Sequence, residues 1–150
     1  CILPDTATVI KKKPKTEIGK EKPKFLYNGD WVMVFTDGSC QQSGKSADRA
    51  GLGVWWNDGH ELNVSERVRG DKQTSTVAEI QAIIRAIEIA INIDIKKLQI
   101  NTDSETTINA VKKFPELNIK GRQKVADNED LIALYKVMKR AKMAGIEIKW

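Results

Sequence analysis

The chain has 150 residues, of which 41% are hydrophobic and 30% charged, a composition that fits one globular domain with its own core. No apolar run approaches the ~18 residues of a membrane span. Two cysteines and one histidine are too few for a disulfide scaffold or a familiar zinc site. We therefore expect an intracellular protein that binds no membrane, and a first residue of Cys1 rather than Met is consistent with a fragment.

The net charge of +5 is concentrated near the N-terminus. Residues 1–28 hold seven lysines against three acidic residues, three of the four prolines, and no sustained hydrophobic period. This composition is typical of a flexible Lys-rich linker, so we place the folded domain at residues 29–150. Such a tail suits a phosphate backbone or an acidic partner, and a merely solvated linker is an equal alternative.

The first predicted elements are three strands. WVMVFT alternates two faces and is rich in β-forming residues. The polar segment CQQSGKSADRAG is predicted as a loop, and GLGVWW and ELNVSERV follow as strands on either side of the turn NDGH. Consecutive strands joined in this way predict an antiparallel meander.

Helices and strands then alternate. TVAEIQAIIRAIEIAI is predicted as a long helix, because Val77, Ile80, Ile84, Ile87 and Ile91 share one stripe at helical spacing. The later segments are a strand, a helix stopped by Pro115, a basic loop, a second long helix and a last strand: KKLQINTD, SETTINAVKKF, ELNIKGRQKVAD, NEDLIALYKVMKRAKMA and IEIKW. A meander followed by alternating elements predicts an α/β fold, a mixed sheet with helices packed on it.

Three acidic residues stand at element ends, and each has an ordinary structural explanation. Asp37-Gly38 fits a hairpin turn, Glu79 fits a capping box with Thr76, and Asp103 fits a helix N-cap. Taken together, the three acidic residues suggest a shared metal site. If the first and fourth strands are parallel neighbours, both aspartates emerge at one edge and the long helix can place Glu79 over it. Carboxylates that close repel one another unless a cation such as Mg²⁺ lies between them.

The segments VFTDGSC, AGLGVWW, QTSTVAEIQAIIRAIE and LQINTDS resemble type 1 ribonuclease H over roughly residues 30–150. The likeness is to a eukaryotic catalytic domain with a preceding linker. It implies a ribonuclease H-like fold whose five-stranded mixed sheet is flanked by helices. It also implies an endonuclease that hydrolyses the RNA strand of RNA–DNA hybrids by two-metal-ion catalysis, leaving a 5′-phosphate and a 3′-hydroxyl.

The resemblance assigns residues to these roles. The catalytic acids are Asp37, Glu79 and Asp103, and these with Gly38 form the site for Mg²⁺, with Mn²⁺ as a substitute. The expected nucleic-acid contacts lie in three segments: Ser39, Cys40, Gln42 and Ser43; Lys72, Thr74, Ser75 and Thr76; and Lys112, Lys113, Phe114 and Lys120. Gln41, Arg122 and Lys124 extend these segments. Ser75 stands where the family has Asn, and Phe114 is the only aromatic residue of the basic stretch.

The sequence also departs from the family pattern. The family carries a fourth carboxylate in a helix after the fifth strand and a histidine in the loop before it, whereas this chain stops at IEIKW. We therefore expect a C-terminally truncated domain without the final helix that binds one ion and cleaves poorly. The alternative is an inactive hybrid-binding module, and an integrase core is disfavoured by the TDG and AE segments. His60 is expected to be an exposed turn histidine, and most tryptophans to pack in the core.

The partner implied by the resemblance is an RNA–DNA hybrid. We expect a monomer, with an upstream hybrid-binding domain in the full-length protein. The expected location is the nucleus, the mitochondrion or the cytoplasm.

Overall fold

A computed structural model describes residues 24–43, 46–113 and 128–150, with the backbone alone for residues 42, 43 and 46–48. The strands are β1 Leu26–Asn28, β2 Trp31–Ser43, β3 Ser46–Trp55, β4 Val64–Arg67, β5 Lys97–Asn101 and β6 Glu147–Lys149. The helices are α1 Ser75–Asn92, α2 Glu105–Lys113 and α3 Glu129–Met143. Among these described helices, none has the length and apolar character needed to cross a bilayer.

The strands form one mixed sheet in the order β4-β3-β2-β5-β6, which confirms the predicted meander with parallel strands added. Strand β2 pairs antiparallel with β3 and parallel with β5, and β5 pairs parallel with β6. The predicted polar loop after Ser39 is wrong in part. Strands β2 and β3 continue through it as a long hairpin, with Cys40 opposite Ala50 and a register shift between Gln41 and Ser43.

The core lies between the sheet and α1 and extends to α3, which packs on α1. Val34, Val54, Leu98 and Ile100 from the sheet pack with α1 and α3 in one cluster of buried side chains. The predicted stripe on α1 needs one change, because Ile83 is fully buried whereas Ile84 and Ile91 are only half-buried. Trp56 is fully buried, as expected, whereas Trp31, Trp55 and Trp150 are only half-buried.

The sheet begins before the expected domain boundary at Gly29. Strand β1 pairs with Trp31–Met33 of β2 on the side opposite β5. Phe25 packs edge-on against Trp56 with ring centroids 5.4 Å apart and lies 4.6 Å from the His60 ring. Residues 24–28 therefore belong to the folded unit, and the rest of the predicted linker, residues 1–23, lies outside the described residues.

His60 is not the exposed turn residue that the sequence suggested. It lies in the connection from β3 to β4, but only 4% of it is exposed, and its Nδ1 accepts a hydrogen bond from the Leu62 N–H at 3.1 Å. Burial lowers the pKa of His60, and the neighbouring Glu61 carboxylate partly opposes this effect. The imidazole is therefore a neutral structural group.

Candidate active site

Asp37 does not form a turn. It lies inside β2 opposite Gly53, and the strand continues to Ser43. The residue is only 6% exposed, and its Oδ1 accepts a hydrogen bond from the Gly38 N–H at 2.9 Å. Burial of a carboxylate raises the free energy of the folded protein unless hydrogen-bond donors or a cation stabilise the charge. The position of Asp37 inside β2 therefore points to a function.

Asp103 is brought level with Asp37 by the parallel register of β2 and β5. The last aligned pair is Phe35 of β2 with Asn101 of β5. Asp37 follows Phe35 by two residues, and Asp103 follows Asn101 by two residues. Asp103 is exposed and is not the cap of α2. That role belongs to Ser104, whose Oγ accepts from the Thr107 N–H at 3.4 Å.

Glu79 reaches the same edge because α1 lies directly against β2. A Cβ placed on Gly38 would stand 2.5 Å from the Glu79 backbone nitrogen and 2.7 Å from the Ala78 Cβ, so only glycine fits there. The expected capping box between Thr76 and Glu79 is wrong. The cap is Thr74, whose Oγ1 accepts from the Val77 N–H at 3.2 Å, and this places half-buried Glu79 beyond the capping position.

The three carboxylates therefore lack the ordinary roles that the sequence offered for them. Their oxygen donors are of the kind that Mg²⁺ or Mn²⁺ prefers. Within the described segments, however, no three or more His, Cys, Asp or Glu side chains form a group that could already hold a metal ion. The donor chemistry suits a divalent cation, while the carboxylates as they stand do not enclose one. Gly38, expected beside the metal, orients Asp37 through its N–H.

A second cluster of predicted residues surrounds the start of α1. Lys72 and Thr74 line an open pocket of about 560 Å³ together with Arg67, and Ser75 and Thr76 are exposed beside it. The Thr74 oxygen accepts the capping bond, so its hydroxyl proton stays available for another acceptor. The pocket is lined by two cationic residues, Arg67 and Lys72, by the acidic Asp71 and by the Thr74 hydroxyl, so its lining is positive on balance and suits a phosphate.

The hairpin β2–β3 carries the other predicted contacts. Ser39 is exposed, and Cys40 is half-buried with its Sγ donating to the Gln73 carbonyl at 3.1 Å. Gln42 and Ser43 are described by backbone only, within β2. Lys112 and Lys113 are exposed in the last turn of α2. Phe114, Lys120, Arg122 and Lys124 lie outside the described residues.

Sequence reasoning missed two features of this region. The resemblance placed Gln73 in a contact loop with Thr74 and Ser75, but the hydrogen bonds of its side chain to Ala50, Val68 and Gly70 were not predicted. The tight fit of Gly38 against α1 was also not predicted. Both depend on contacts between distant segments, so no local pattern of residue types could have revealed them.

Comparisons with known proteins agree with this arrangement. The family model for RNase H matches residues 29–150. Ribonuclease H1 of Homo sapiens is 39% identical over 132 residues, which cover 84% of this chain and 44% of that protein. Ribonuclease H1 of Rattus norvegicus is 38% identical over 130 residues, which cover 86% of this chain and 45% of that protein. The chain thus spans less than half the length of these curated relatives.

Solved structures show the same fold. A foamy viral protease-reverse transcriptase in complex with an RNA/DNA hybrid superposes with a TM-score of 0.59 and 23% identity, covering 97% of this chain and 20% of that one. The PFV RNase H domain superposes with a TM-score of 0.54 and 20% identity, covering 78% of this chain and 76% of that one. The five strands in the order β4-β3-β2-β5-β6, flanked by helices, are therefore a known architecture.

Proposed function

This chain belongs to the RNase H family, and we propose that it is an endonuclease that hydrolyses the RNA strand of RNA–DNA hybrids. One observation carries the proposal: Asp37, Glu79 and Asp103 come from three separate elements to one end of the sheet, and none serves as the turn or cap that would otherwise explain it. The relatives named Ribonuclease H1 and the hybrid-bound neighbour support this substrate.

Divalent ions, Mg²⁺ or Mn²⁺, would be held by the three carboxylates and would supply an activated water and a stabilised leaving oxygen, as in two-metal hydrolysis. The products of that chemistry are a 5′-phosphate and a 3′-hydroxyl. Asp37, already oriented by the Gly38 N–H, is the central ligand in this proposal. Because the carboxylates do not enclose an ion as they stand, we propose that bound substrate completes the site.

The protein's own groups would bind and orient the hybrid. Glu79 would accept a hydrogen bond from a 2′-hydroxyl, the group that distinguishes RNA from DNA. The strand around exposed Ser39 would follow the minor groove, and the Thr74 hydroxyl with the Lys72 ammonium would hold a phosphate. Lys112 and Lys113 add positive charge at the end of α2.

Cleavage of an end-labelled RNA–DNA hybrid, compared with duplex DNA and duplex RNA, tests the proposed activity. We expect slow cleavage, of the hybrid alone and only with a divalent cation. Asp37→Asn should lower the rate by at least about 100-fold, because electrostatic stabilisation at a metal site contributes several kcal/mol. The matched control is Asp94→Asn, since Asp94 is exposed, pairs with Lys96 at 2.7 Å and lies before β5.

The alternative function is hybrid binding without cleavage, and the open arrangement of the carboxylates favours it. Hybrid binding by both the wild type and Asp37→Asn, with cleavage by neither, would establish that alternative. Failure of the wild type to prefer a hybrid over duplex DNA would refute both functions.

Metal binding can be measured separately from activity. Calorimetric titration with Mg²⁺ should show weak binding to the wild type and a clear loss in Asp37→Asn, because that substitution removes the buried charged ligand. Equal heats for the two proteins would argue against Asp37 as a ligand.

Light scattering should report a monomer, since one copy supplies all three carboxylates.

A further inference from the structure

Gln73 is half-buried and lines the pocket that contains Lys72, but its side-chain amide is bonded to main-chain groups of the protein. Its Nε2 donates to the Val68 carbonyl at 3.1 Å and to the Gly70 carbonyl at 2.8 Å, and its Oε1 accepts from the Ala50 N–H at 2.9 Å. A primary amide has two N–H donors. Both are occupied, so Gln73 has no donor left for a phosphate or a base.

The hydrogen-bond partners of the Gln73 side chain show that it takes the place of a strand next to Ala50. The Ala50 carbonyl of β3 accepts a hydrogen bond from the Val68 N–H, which continues the β3–β4 ladder. After Val68 the chain leaves the sheet. The Ala50 N–H therefore donates to the Gln73 Oε1 and not to a neighbouring strand. Ala50 is only 3% exposed, so without Gln73 this N–H would be buried and unsatisfied.

Gln73 also joins the hairpin to α1 through its main chain. Its carbonyl accepts from the Cys40 Sγ on β2, and the next residue, Thr74, caps α1. One residue therefore links the exposed strip around Ser39, the pocket that contains Lys72, and the helix that carries Glu79.

We propose that Gln73 is a positioning residue, which fixes the β2–β3 hairpin relative to the start of α1 and does not touch the nucleic acid. The inference rests on the proposed function, because the groups it aligns are those assigned to the hybrid. A network of satisfied hydrogen bonds around a site holds its contact groups in place before the substrate arrives, and small displacements of such groups weaken binding.

The test uses Gln73→Met, which keeps the length of the side chain and removes its hydrogen bonds. Gln99→Met is the matched control, because Gln99 is also half-buried and its amide bonds to Asn28 and Asn101, away from the hairpin. In the protein without nucleic acid, exchange of the Ala50 amide hydrogen should accelerate at least about tenfold in Gln73→Met and stay unchanged in Gln99→Met. The dissociation constant for an RNA–DNA hybrid should rise about tenfold in Gln73→Met alone.

Two outcomes would overturn the proposal. Weaker hybrid binding with unchanged Ala50 exchange would mean that Gln73 contacts the nucleic acid directly, and unchanged exchange with unchanged binding would mean that it positions nothing. If Gln73→Met does not fold, Gln73→Asn keeps an uncharged amide but is one methylene shorter, which withdraws it from the Ala50 N–H, so the same two measurements apply. A wild type that binds no hybrid refutes the proposed function, whereas the exchange measurement still decides whether Gln73 holds the hairpin.

Discussion

At the scale of single residues, Gly38 marks the place where strand β2 and helix α1 approach most closely. Gly38→Ala would drive a methyl group into the backbone of Ala78 and Glu79, at 2.5–2.7 Å, and should destabilise the fold by about 3 kcal/mol. Gly51→Ala is the control, because a Cβ there would meet the Glu66 carbonyl oxygen at an ordinary 3.6 Å. Urea unfolding of both variants measures the difference, and equal midpoints would contradict the tight fit of strand and helix.

His60 should make stability depend on pH. Its pKa is lowered in the folded state by burial, so the unfolded chain binds a proton more readily. The stability contributed by the neutral ring is complete above the ordinary pKa of about 6.5 and is lost as the pH falls below it. We expect the melting temperature to fall between about pH 7.5 and pH 5.5.

The chain has one histidine, which gives this pH test a direct control. Gln can accept the hydrogen bond from the Leu62 N–H without titrating, so His60→Gln should flatten the decline over the same pH range. An identical decline in the variant would assign it to other groups.

At the level of elements, Thr74 has two roles at the start of α1: it caps the helix, and it lines the pocket proposed to hold a phosphate. Thr74→Asp keeps a good N-cap and should leave the melting temperature unchanged within about 2 °C, because the two caps differ by only a few tenths of a kcal/mol. The added charge should repel a phosphate, so hybrid affinity should fall about tenfold or more. Thr74→Ser keeps both the cap oxygen and the hydroxyl proton and should match the wild type. Equal hybrid affinity of the Asp and Ser variants would remove Thr74 from the interface.

Periodicity predicted every helix in the described residues and most strands, because burial of one face leaves a clear record in the sequence. It failed between Cys40 and Ala50, where polar side chains follow no apolar alternation and cross-strand pairing alone extends the hairpin. The capping rule also placed the cap of α1 two residues too late. The pattern Thr76 to Glu79 satisfies that rule, but hydrogen bonds from distant Cys40 and Ala50 hold Gln73 so that the helix begins at Ser75.

The residues of the candidate site remain a prediction from the sequence, and the structure adds where they lie. The three acidic residues could be named because their segments resemble those of a known family, whereas the parallel pairing of β2 and β5 was only a condition of the sequence argument and is observed in the structure. The half-buried state of Glu79 and the exposure of Asp103 could not be predicted from the sequence, because they depend on how α1 and α2 pack. The role of Gln73 arises only in the folded chain.

For the whole molecule, charge should control affinity independently of the fold. Residues 1–23 carry six lysines and three acidic residues, so their deletion removes three units of the net charge of +5. Affinity for any duplex should fall, and the slope of log K against log salt should become shallower by about 0.9 for each phosphate that the protein no longer neutralises. The melting temperature should barely change if these residues are the predicted linker.

A deletion that extends two residues further provides the contrast. The Lys24 carbonyl accepts from the Asn57 Nδ2 at 2.8 Å, and Phe25 packs on Trp56 and His60. Deletion of residues 1–25 should therefore cost about 2 kcal/mol in addition to the charge effect. Similar melting temperatures for the two truncated proteins would contradict the placement of Phe25 in the core.

The shared register of β2 and β5 also determines where the chain can tolerate a change in length. One residue inserted between Leu98 and Asn101 would advance Asp103 by about 3.3 Å and turn the following side chains to the opposite face of the sheet. The same insertion beside exposed Asp94, in the turn after α1, would disturb the hydrogen bond from the Ile95 N–H to the Ala90 carbonyl but would leave the spacing from Lys97 to Asp103 unchanged. The spacing from Lys97 to Asp103 thus sets where the Asp103 carboxylate lies, and a change of length before Lys97 would leave that spacing intact.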